Sequence, residues 1–200
     1  MNSEQFNKPS IVVLASGNGS NFQVLAEKSL SGELIADVKA LIVDRACGAI
    51  ERAKKLGVEV IILSKPWYED FEKVMANLKP DLIVLAGFMR IIPEHIVAKY
   101  FPKIVNIHPS LLPAFPGKDA IKQAYDYGVK VTGITIHFVD AGIDTGPIIF
   151  QKAIEIEENW DLETLESKIH KLEHENYWRV INNLLHKPYK IEGRKVTWGV

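Results

Sequence analysis

Cysteine is almost absent from this chain: Cys47 is the only one among 200 residues, so no intrachain disulfide can form. Such scarcity favours a reducing compartment, and nothing around Cys47 marks it as an activated nucleophile. No spacing of cysteine or histidine resembles a zinc site, so no metal is expected. Excess charge is absent too. The formal net charge is −1, which argues against a protein that binds nucleic acid through its overall field.

Long apolar runs are also missing. No stretch approaches the length of a membrane span, and residues 1–8 lack the apolar core of a signal peptide. We predict a flexible N-terminal tail at 1–8 and a single domain at 9–200, which is long enough for a sizeable core. The expected location is the cytoplasm, with no membrane partner. The sequence does not fix the oligomeric state, and a homodimer is compatible with it.

Continuous apolar runs alternate with helical patterns along the first half of the chain. The predicted strands are 11–15, 38–43, 58–63, 81–86 and 104–107. The predicted helices are one that carries Phe22, Leu25, Ala26 and Leu30, and three more at 46–56, 67–78 and 93–100. Strands that are apolar throughout and alternate with helices indicate a parallel sheet that is covered on both faces.

The second half of the chain has a different pattern. Its predicted elements are a helix at 119–127, strands at 131–139 and 146–156, a helix from 161 to about 185, and a hairpin at 189–198. Apolar and polar residues alternate in 131–139, as in a half-exposed antiparallel strand, and Asn159 is the expected N-cap of the long helix. We therefore expect an α/β, Rossmann-like fold, with a mainly parallel central sheet, helices on both faces and a C-terminal antiparallel portion.

Two segments carry groups suited to acyl chemistry. Asn106 and His108 stand two residues apart at the end of an apolar run, so their side chains project to the same side of a strand. Prolines at 109 and 113 then turn the chain out of the sheet, and a glycine-rich loop presents Asp144. Taken singly, each residue could serve an ordinary structural purpose. Together, an amide, an imidazole and a carboxylate can polarise a carbonyl, stabilise an oxyanion and move a proton.

A glycine-rich turn, 17–21, joins the first strand to the first helix. Its backbone amides and the helix N-terminus suit a phosphate. It is not a complete dinucleotide fingerprint, because Phe22 stands where the third glycine would pack. Three interpretations stay open from the residues alone: a structural turn, a phosphate site without a nicotinamide cofactor, and a dinucleotide site.

The remaining histidines have simpler explanations. His137 fits a histidine packed within a strand. His170, Glu173 and Tyr177 share one face of the long helix, and a solvated polar stripe explains that spacing. The other three, His95, His174 and His186, form no recognisable constellation.

These motifs together resemble the phosphoribosylglycinamide formyltransferases, a folate-dependent family of purine biosynthesis. The resemblance runs from about Ile11 to about Glu175 and rests on four segments, 16–21, 85–91, 106–113 and 145–147. It implies that the formyl group of 10-formyltetrahydrofolate, the co-substrate, passes to the amine of glycinamide ribonucleotide by direct attack. The 106–113 segment with its distant aspartate belongs to the wider formyl-transfer superfamily, whereas the glycine-rich loop and Glu173 indicate the acceptor.

The resemblance also implies roles for single residues. Asn106 and His108 would stabilise the oxyanion, while Asp144 would favour the imidazolium form of His108 and help to transfer protons. The ribonucleotide would be bound by Gly19, Ser20, Asn21, His170 and Glu173. The folate would be bound by Met89, Arg90, Ile91, Ile92, Asn106, Asp140, Ala141, Gly142, Ile143 and Asp144.

Two other functions remain as alternatives. A formyltetrahydrofolate hydrolase would use water as the acceptor, but the phosphate loop and Glu173 argue against it. A non-catalytic nucleotide-binding module would leave Asn106, His108 and Asp144 without a joint purpose. This chain departs from the family at 64–68, which is shorter and lacks the arginine often found there, so the resemblance does not define contacts to the folate tail.

Overall fold

Strands and helices alternate through most of the protein. A computed structural model describes residues 7–199, so most of the predicted tail at 1–8 lies outside the described residues. The strands are β1 (Ser10–Ala15), β2 (Asp37–Val43), β3 (Val60–Ile62), β4 (Leu82–Leu85), β5 (Ile104–His108), β6 (Val131–Phe138), β7 (Ile148–Glu155), β8 (Tyr189–Glu192) and β9 (Lys195–Trp198). The helices are α1 (Ser20–Ser31), α2 (Gly48–Leu56), α3 (Trp67–Leu78), α4 (Glu94–Tyr100), α5 (Ala120–Tyr127) and α6 (Leu162–His186).

The strands form one sheet in the order β3-β2-β1-β4-β5-β6-β7-β9-β8. β1 to β5 are parallel, whereas β6 is antiparallel to both of its neighbours and β8 pairs antiparallel with β9. The predicted Rossmann-like sheet with a C-terminal antiparallel portion is confirmed. The strand order reverses between β1 and β4, so the loops after these strands diverge and leave a crevice at the strand ends.

Apolar residues cover both faces of the sheet, as the continuous runs indicate. On one face, Ile11 and Val13 of β1 belong to a core that also takes in α1 and α6. On the other face, Val12 and Leu14 pack in a second core with α3 and α4. Successive side chains of a strand point to opposite faces, so every residue of β1 is buried. None of the helices described in residues 7–199 is long and apolar enough to cross a membrane.

Two local predictions are wrong. β6 is buried from Thr132 onward rather than half-exposed, because it lies between β5 and β7 in the interior of the sheet. Its polar residues bond to the protein instead of to water: the Thr135 hydroxyl donates to the Ser110 carbonyl at 2.7 Å. The long helix is capped by Asp161 and not by Asn159. The Asp161 carboxylate accepts from the Thr164 N–H at 2.7 Å, and the helix begins one residue later.

Candidate active site

The ends of β5 and β6 bring the predicted reactive side chains together. Asn106 lies opposite His137 in the antiparallel pairing of these strands. His108 and His137 are buried, at 5% and 2% exposure. All three line a cleft of about 660 Å³, to which the loop carrying Asp144 also contributes. The structure therefore brings the amide, the imidazole and the carboxylate into one cleft, with Asn106 and His108 on the same side of β5.

Asp144 is the charged centre of this group. Its Oδ2 accepts the Gly117 N–H at 2.8 Å and lies 3.5 Å from Nδ1 of His108. Its Oδ1 lies 3.8 Å from Nε2 of His137. Burial raises the pKa of Asp144, but the facing His137 ring, the Gly117 N–H and the nearby His108 lower it by more, so the net pKa is below its ordinary value. The carboxylate is therefore ionised at neutral pH.

His108 is anchored through one edge of its ring. Nε2 lies 2.8 Å from the Phe115 carbonyl oxygen, which can only accept, so Nε2 carries a proton. The other edge, Nδ1, faces Asp144 at a distance longer than a good hydrogen bond. Nδ1 can therefore donate to a substrate oxygen only when the ring is an imidazolium.

His137 is a member of this group that the sequence did not identify. Its Nδ1 donates to the Phe138 carbonyl at 2.9 Å, so its Nε2 is left to face the site. Nε2 lies 3.3 Å from the Asn106 amide nitrogen and 3.8 Å from Asp144 Oδ1. The contact with His137 orients the Asn106 amide. The signal is the pairing of 106 with 137 across two strands, which single-strand periodicity does not reveal.

The wall of the cleft is apolar where the loop after β4 and the loop after β6 form it. Met89, Ile91 and Ile143 hold exposed apolar side chains at this surface, at 54%, 63% and 55%. Nine of the ten predicted folate residues line the cleft; Ala141 does not. Asp140 shapes its own loop, since its Oδ1 accepts from the Thr145 hydroxyl at 2.6 Å and the Gly142 N–H at 3.0 Å. A flat, largely apolar ligand with a polar edge suits this wall.

The glycine-rich turn sits at the start of α1. Gly19 is the N-cap residue with φ 82°, and no side chain caps the helix, so its first N–H groups point outward. A Cβ on Gly19 would lie 2.5 Å from Cβ of Ala49. Asn21 Oδ1 is buried and lacks a hydrogen-bond partner among residues 7–199. Phe22 is fully buried where a dinucleotide fingerprint needs glycine. The turn therefore fits a phosphate better than a dinucleotide.

Two side chains outside the predicted set of site residues, those of Arg52 and His174, also reach this turn. Arg52 of α2 donates through Nε to the Asn18 carbonyl at 2.8 Å and through Nη2 to Asn18 Oδ1 at 2.6 Å. His174 of α6 lies with Nε2 3.1 Å from the Ser20 hydroxyl. Arg52 holds the turn in shape and adds positive charge behind it, which favours an anion.

The helix face with His170, Glu173 and Tyr177 is not a solvated stripe. Glu173 is only 4% exposed and Tyr177 1%, and the Tyr177 hydroxyl donates to the Leu85 carbonyl at 2.7 Å. Glu173 lies between Ile169 and Tyr177 in the buried stripe of α6, and this position is the sequence signal for its burial. His170 Nδ1 lies 2.8 Å from Glu173 Oε1, and this hydrogen bond raises the pKa of His170.

Comparisons with known proteins agree with this arrangement. Residues 9–181 match the family model described as formyl transferase. A phosphoribosylglycinamide formyltransferase from Bacillus subtilis (strain 168) is 48% identical over 181 residues, which are 86% of this chain and 93% of the relative. The crystal structure of glycinamide ribonucleotide transformylase 1 from Symbiobacterium toebii has a TM-score of 0.91 and 37% identity, and the match covers 97% of this chain and 95% of that one.

A structure with another printed activity shares the fold. A formyltetrahydrofolate deformylase from Pseudomonas syringae pv. tomato str. DC3000 has a TM-score of 0.90 at 24% identity, covering 96% of this chain and 66% of that chain. At this identity the likeness concerns the fold alone. The fold therefore does not by itself distinguish an amine acceptor from water.

Proposed function

This chain belongs to the formyl transferase family, and from that membership we infer an enzyme that transfers the formyl group of 10-formyltetrahydrofolate to the amine of glycinamide ribonucleotide in purine biosynthesis. The relative at 48% identity bears the name of that activity. The position of α6 is the observation that supports glycinamide ribonucleotide as the acceptor. Within two turns it supplies His170 to the cleft and His174 to the phosphate turn, with buried Glu173 between them.

The proposed reaction is a direct attack. The amine nitrogen forms a bond to the formyl carbon, and the carbonyl electron pair moves to oxygen. The Asn106 amide and the Nδ1–H of charged His108 donate to this oxyanion, with Asp144 stabilising the imidazolium. The oxyanion then re-forms the carbonyl as the bond from carbon to N10 of the folate breaks, and the proton lost by the amine reaches N10, with Asp144 as a relay through water. Much of the remaining acceleration comes from holding both substrates in position.

The two substrates occupy neighbouring regions in this proposal. The turn at 17–21 binds the phosphate of the ribonucleotide, and the carboxylate of Glu173 accepts a hydrogen bond from its glycinamide end. The pterin lies against the apolar wall that includes Met89 and Ile91. No metal is required, because the formamide already has a leaving nitrogen and the oxyanion has protein donors.

The proposal extends to the organisation of the chain. Residues 9–200 act as a single formyltransferase domain, since β8 and β9 continue the same sheet beyond the matched residues. We also propose that the protein is cytoplasmic and that it forms a homodimer. Light scattering on the purified protein tests the oligomeric state.

One assay separates the three candidate functions. The protein is incubated with 10-formyltetrahydrofolate with and without glycinamide ribonucleotide, and tetrahydrofolate and formate are measured. We expect tetrahydrofolate only when the ribonucleotide is present, with one formylated ribonucleotide for each. Release of formate without ribonucleotide would indicate the hydrolase, and an absence of turnover would indicate the binding module.

Substitution of Gly19 is expected to affect one substrate selectively. In Gly19→Ala, the new Cβ meets Ala49 and strains a residue at φ 82°, so the turn must shift. We expect the KM for glycinamide ribonucleotide to rise about tenfold or more, with the KM for the folate changed less. Gly32→Ala is the matched control, because Gly32 also has positive φ, at the far end of α1, but open space around it. A selective loss of folate affinity would mean that the two sites are assigned in reverse.

Glu173→Gln is expected to weaken binding of glycinamide ribonucleotide by about 1.5–3 kcal/mol, the range for hydrogen bonds to charged groups. The side chain is buried, so solvent does not replace the lost charge. Titration calorimetry measures the affinity. Glu175→Gln is the control, since Glu175 is an exposed residue of the same helix. Unchanged affinity in a folded Glu173→Gln protein would assign Glu173 a structural role only.

A further inference from the structure

A carboxylate covered by two arginine side chains lies between the two proposed binding regions. Asp44 follows β2 directly, and none of its side chain is exposed. Its Oδ1 accepts from the Ser16 hydroxyl at 2.7 Å. Its Oδ2 accepts from Arg45 Nη2 and from Arg90 Nε, each at 2.9 Å. The reaction described above makes no use of this group.

Ser16 extends the connection from Asp44 to the loop after β4. Its hydroxyl donates to Asp44 and accepts the Met89 N–H at 2.8 Å. Its own N–H donates to the Gly87 carbonyl at 3.0 Å. Three loops, which follow β1, β2 and β4, are thus joined by one continuous chain of hydrogen bonds. The first of them carries the phosphate turn, and the third carries the apolar wall of the cleft.

The charge on Asp44 makes this connection strong. Burial raises the pKa of Asp44, but hydrogen bonds from Arg45, Ser16 and Arg90 lower it by more, so the carboxylate is ionised. Hydrogen bonds to an ionised group are shorter and stronger than neutral ones. A buried charge that loses its partners is costly, so the loops resist separation.

We propose that Asp44 is a positioning residue for formyl transfer: through Ser16 and Arg90 it fixes the spacing between the phosphate turn and the apolar wall of the cleft. The inference rests on the proposed function, because it takes this wall as the folate side. Asp44 contacts neither Asn106 nor His108 nor Asp144. Its loss therefore changes substrate binding while the reacting groups stay in place.

The test is a steady-state comparison of Asp44→Asn and Ser16→Ala with the unmodified enzyme. For Asp44→Asn we expect both KM values to rise by about tenfold, the effect of losing a charge-assisted hydrogen bond, and kcat to stay within about threefold. Ser16→Ala should raise the same two KM values, since it cuts the link to Met89. The double variant should be no worse than Asp44→Asn alone, because both changes break one network.

Asp81→Asn is the matched control. Asp81 precedes β4, and its Oδ2 accepts the Ser10 N–H at 2.7 Å, so it joins β1 to β4 at the N-terminal ends of these strands, opposite the cleft. It should lower the melting temperature without changing either KM. Unchanged KM values in Asp44→Asn, or equal changes in Asp81→Asn, would overturn the proposal.

The role of Asp44 can still be tested if one variant does not fold or if the acceptor is not the ribonucleotide. If Asp44→Asn does not fold, Ser16→Ala decides, because it keeps the carboxylate with both arginines. If the unmodified enzyme transfers formyl to water instead of the ribonucleotide, the proposed function fails. The KM for 10-formyltetrahydrofolate then still tests the role of Asp44.

Discussion

His108→Ala is expected to lower kcat by at least about 10²-fold, the usual effect of losing an oxyanion donor or an acid–base group. The structure gives the physical reason. Nε2 is occupied by the Phe115 carbonyl, so Nδ1 is the edge that can reach a substrate. The KM values should change little, because this donor acts mainly as charge develops on the formyl oxygen.

The substitution should leave the surrounding loop folded. The loop keeps the hydrogen bond from the Ser110 hydroxyl to the Ala114 carbonyl at 2.6 Å, and the same hydroxyl lies 3.2 Å from the Phe115 carbonyl. Circular dichroism and thermal melting check the fold, and rapid-quench turnover measures the chemical step. His95→Ala is a suitable control, because His95 is an exposed histidine remote from the cleft. Near-normal turnover by a folded His108→Ala protein would exclude the proposed role.

Asp144→Asn should reduce kcat by about 10²-fold near neutral pH while folate binding is largely kept. The side chains are nearly the same size, and asparagine tolerates the left-handed backbone that Asp144 adopts at φ 54°. The amide can still accept the Gly117 N–H. What is lost is the negative charge that lies 3.5 Å from Nδ1 of His108.

The kcat deficit of Asp144→Asn should depend on pH, in a direction that follows from the pKa of Asp144. The lowered pKa of Asp144 means that its carboxylate stays charged through the neutral range and is lost only in strong acid. Asp144→Asn has no such carboxylate, so its deficit relative to the unmodified enzyme should be full near neutral pH and should shrink in acid, where the unmodified enzyme also loses the charge of Asp144. A deficit that is constant across pH would contradict the coupling of Asp144 to His108, even if turnover is low.

The parallel sheet was predictable because burial on both faces produces continuous apolar runs, such as Ile11 to Ala15. The same rule misled at β6. Thr135 and His137 alternate with apolar residues because they are buried polar groups with protein partners, and not because water lies on that side. Periodicity reports polarity along a strand, but it does not report what faces the polar groups.

Several site residues depend on pairings that one sequence does not contain. His137 belongs to the group around Asn106 only through the register of β5 with β6. Arg52 and Asp44 reach the site from neighbouring loops and helices. Glu173 could be predicted to be buried from its place between Ile169 and Tyr177 on α6. The roles of Asn106, His108 and Asp144 stay predictions until the variants are measured.

The close approach of Gly19 and Ala49 has a consequence for mutational tolerance. A Cβ at position 19 would lie 2.6 Å from the Ala49 Cα as well as 2.5 Å from its Cβ, so trimming Ala49 to glycine would not make room for it. Ala49 itself is fully buried with its side chain against Gly19, so in a saturation library scored by activity position 49 should accept little beyond alanine and glycine. It should be as intolerant as the phosphate turn, although Ala49 is not one of the proposed binding residues. The set of positions at which substitution impairs the site is thus larger than the set of residues proposed to contact the substrates.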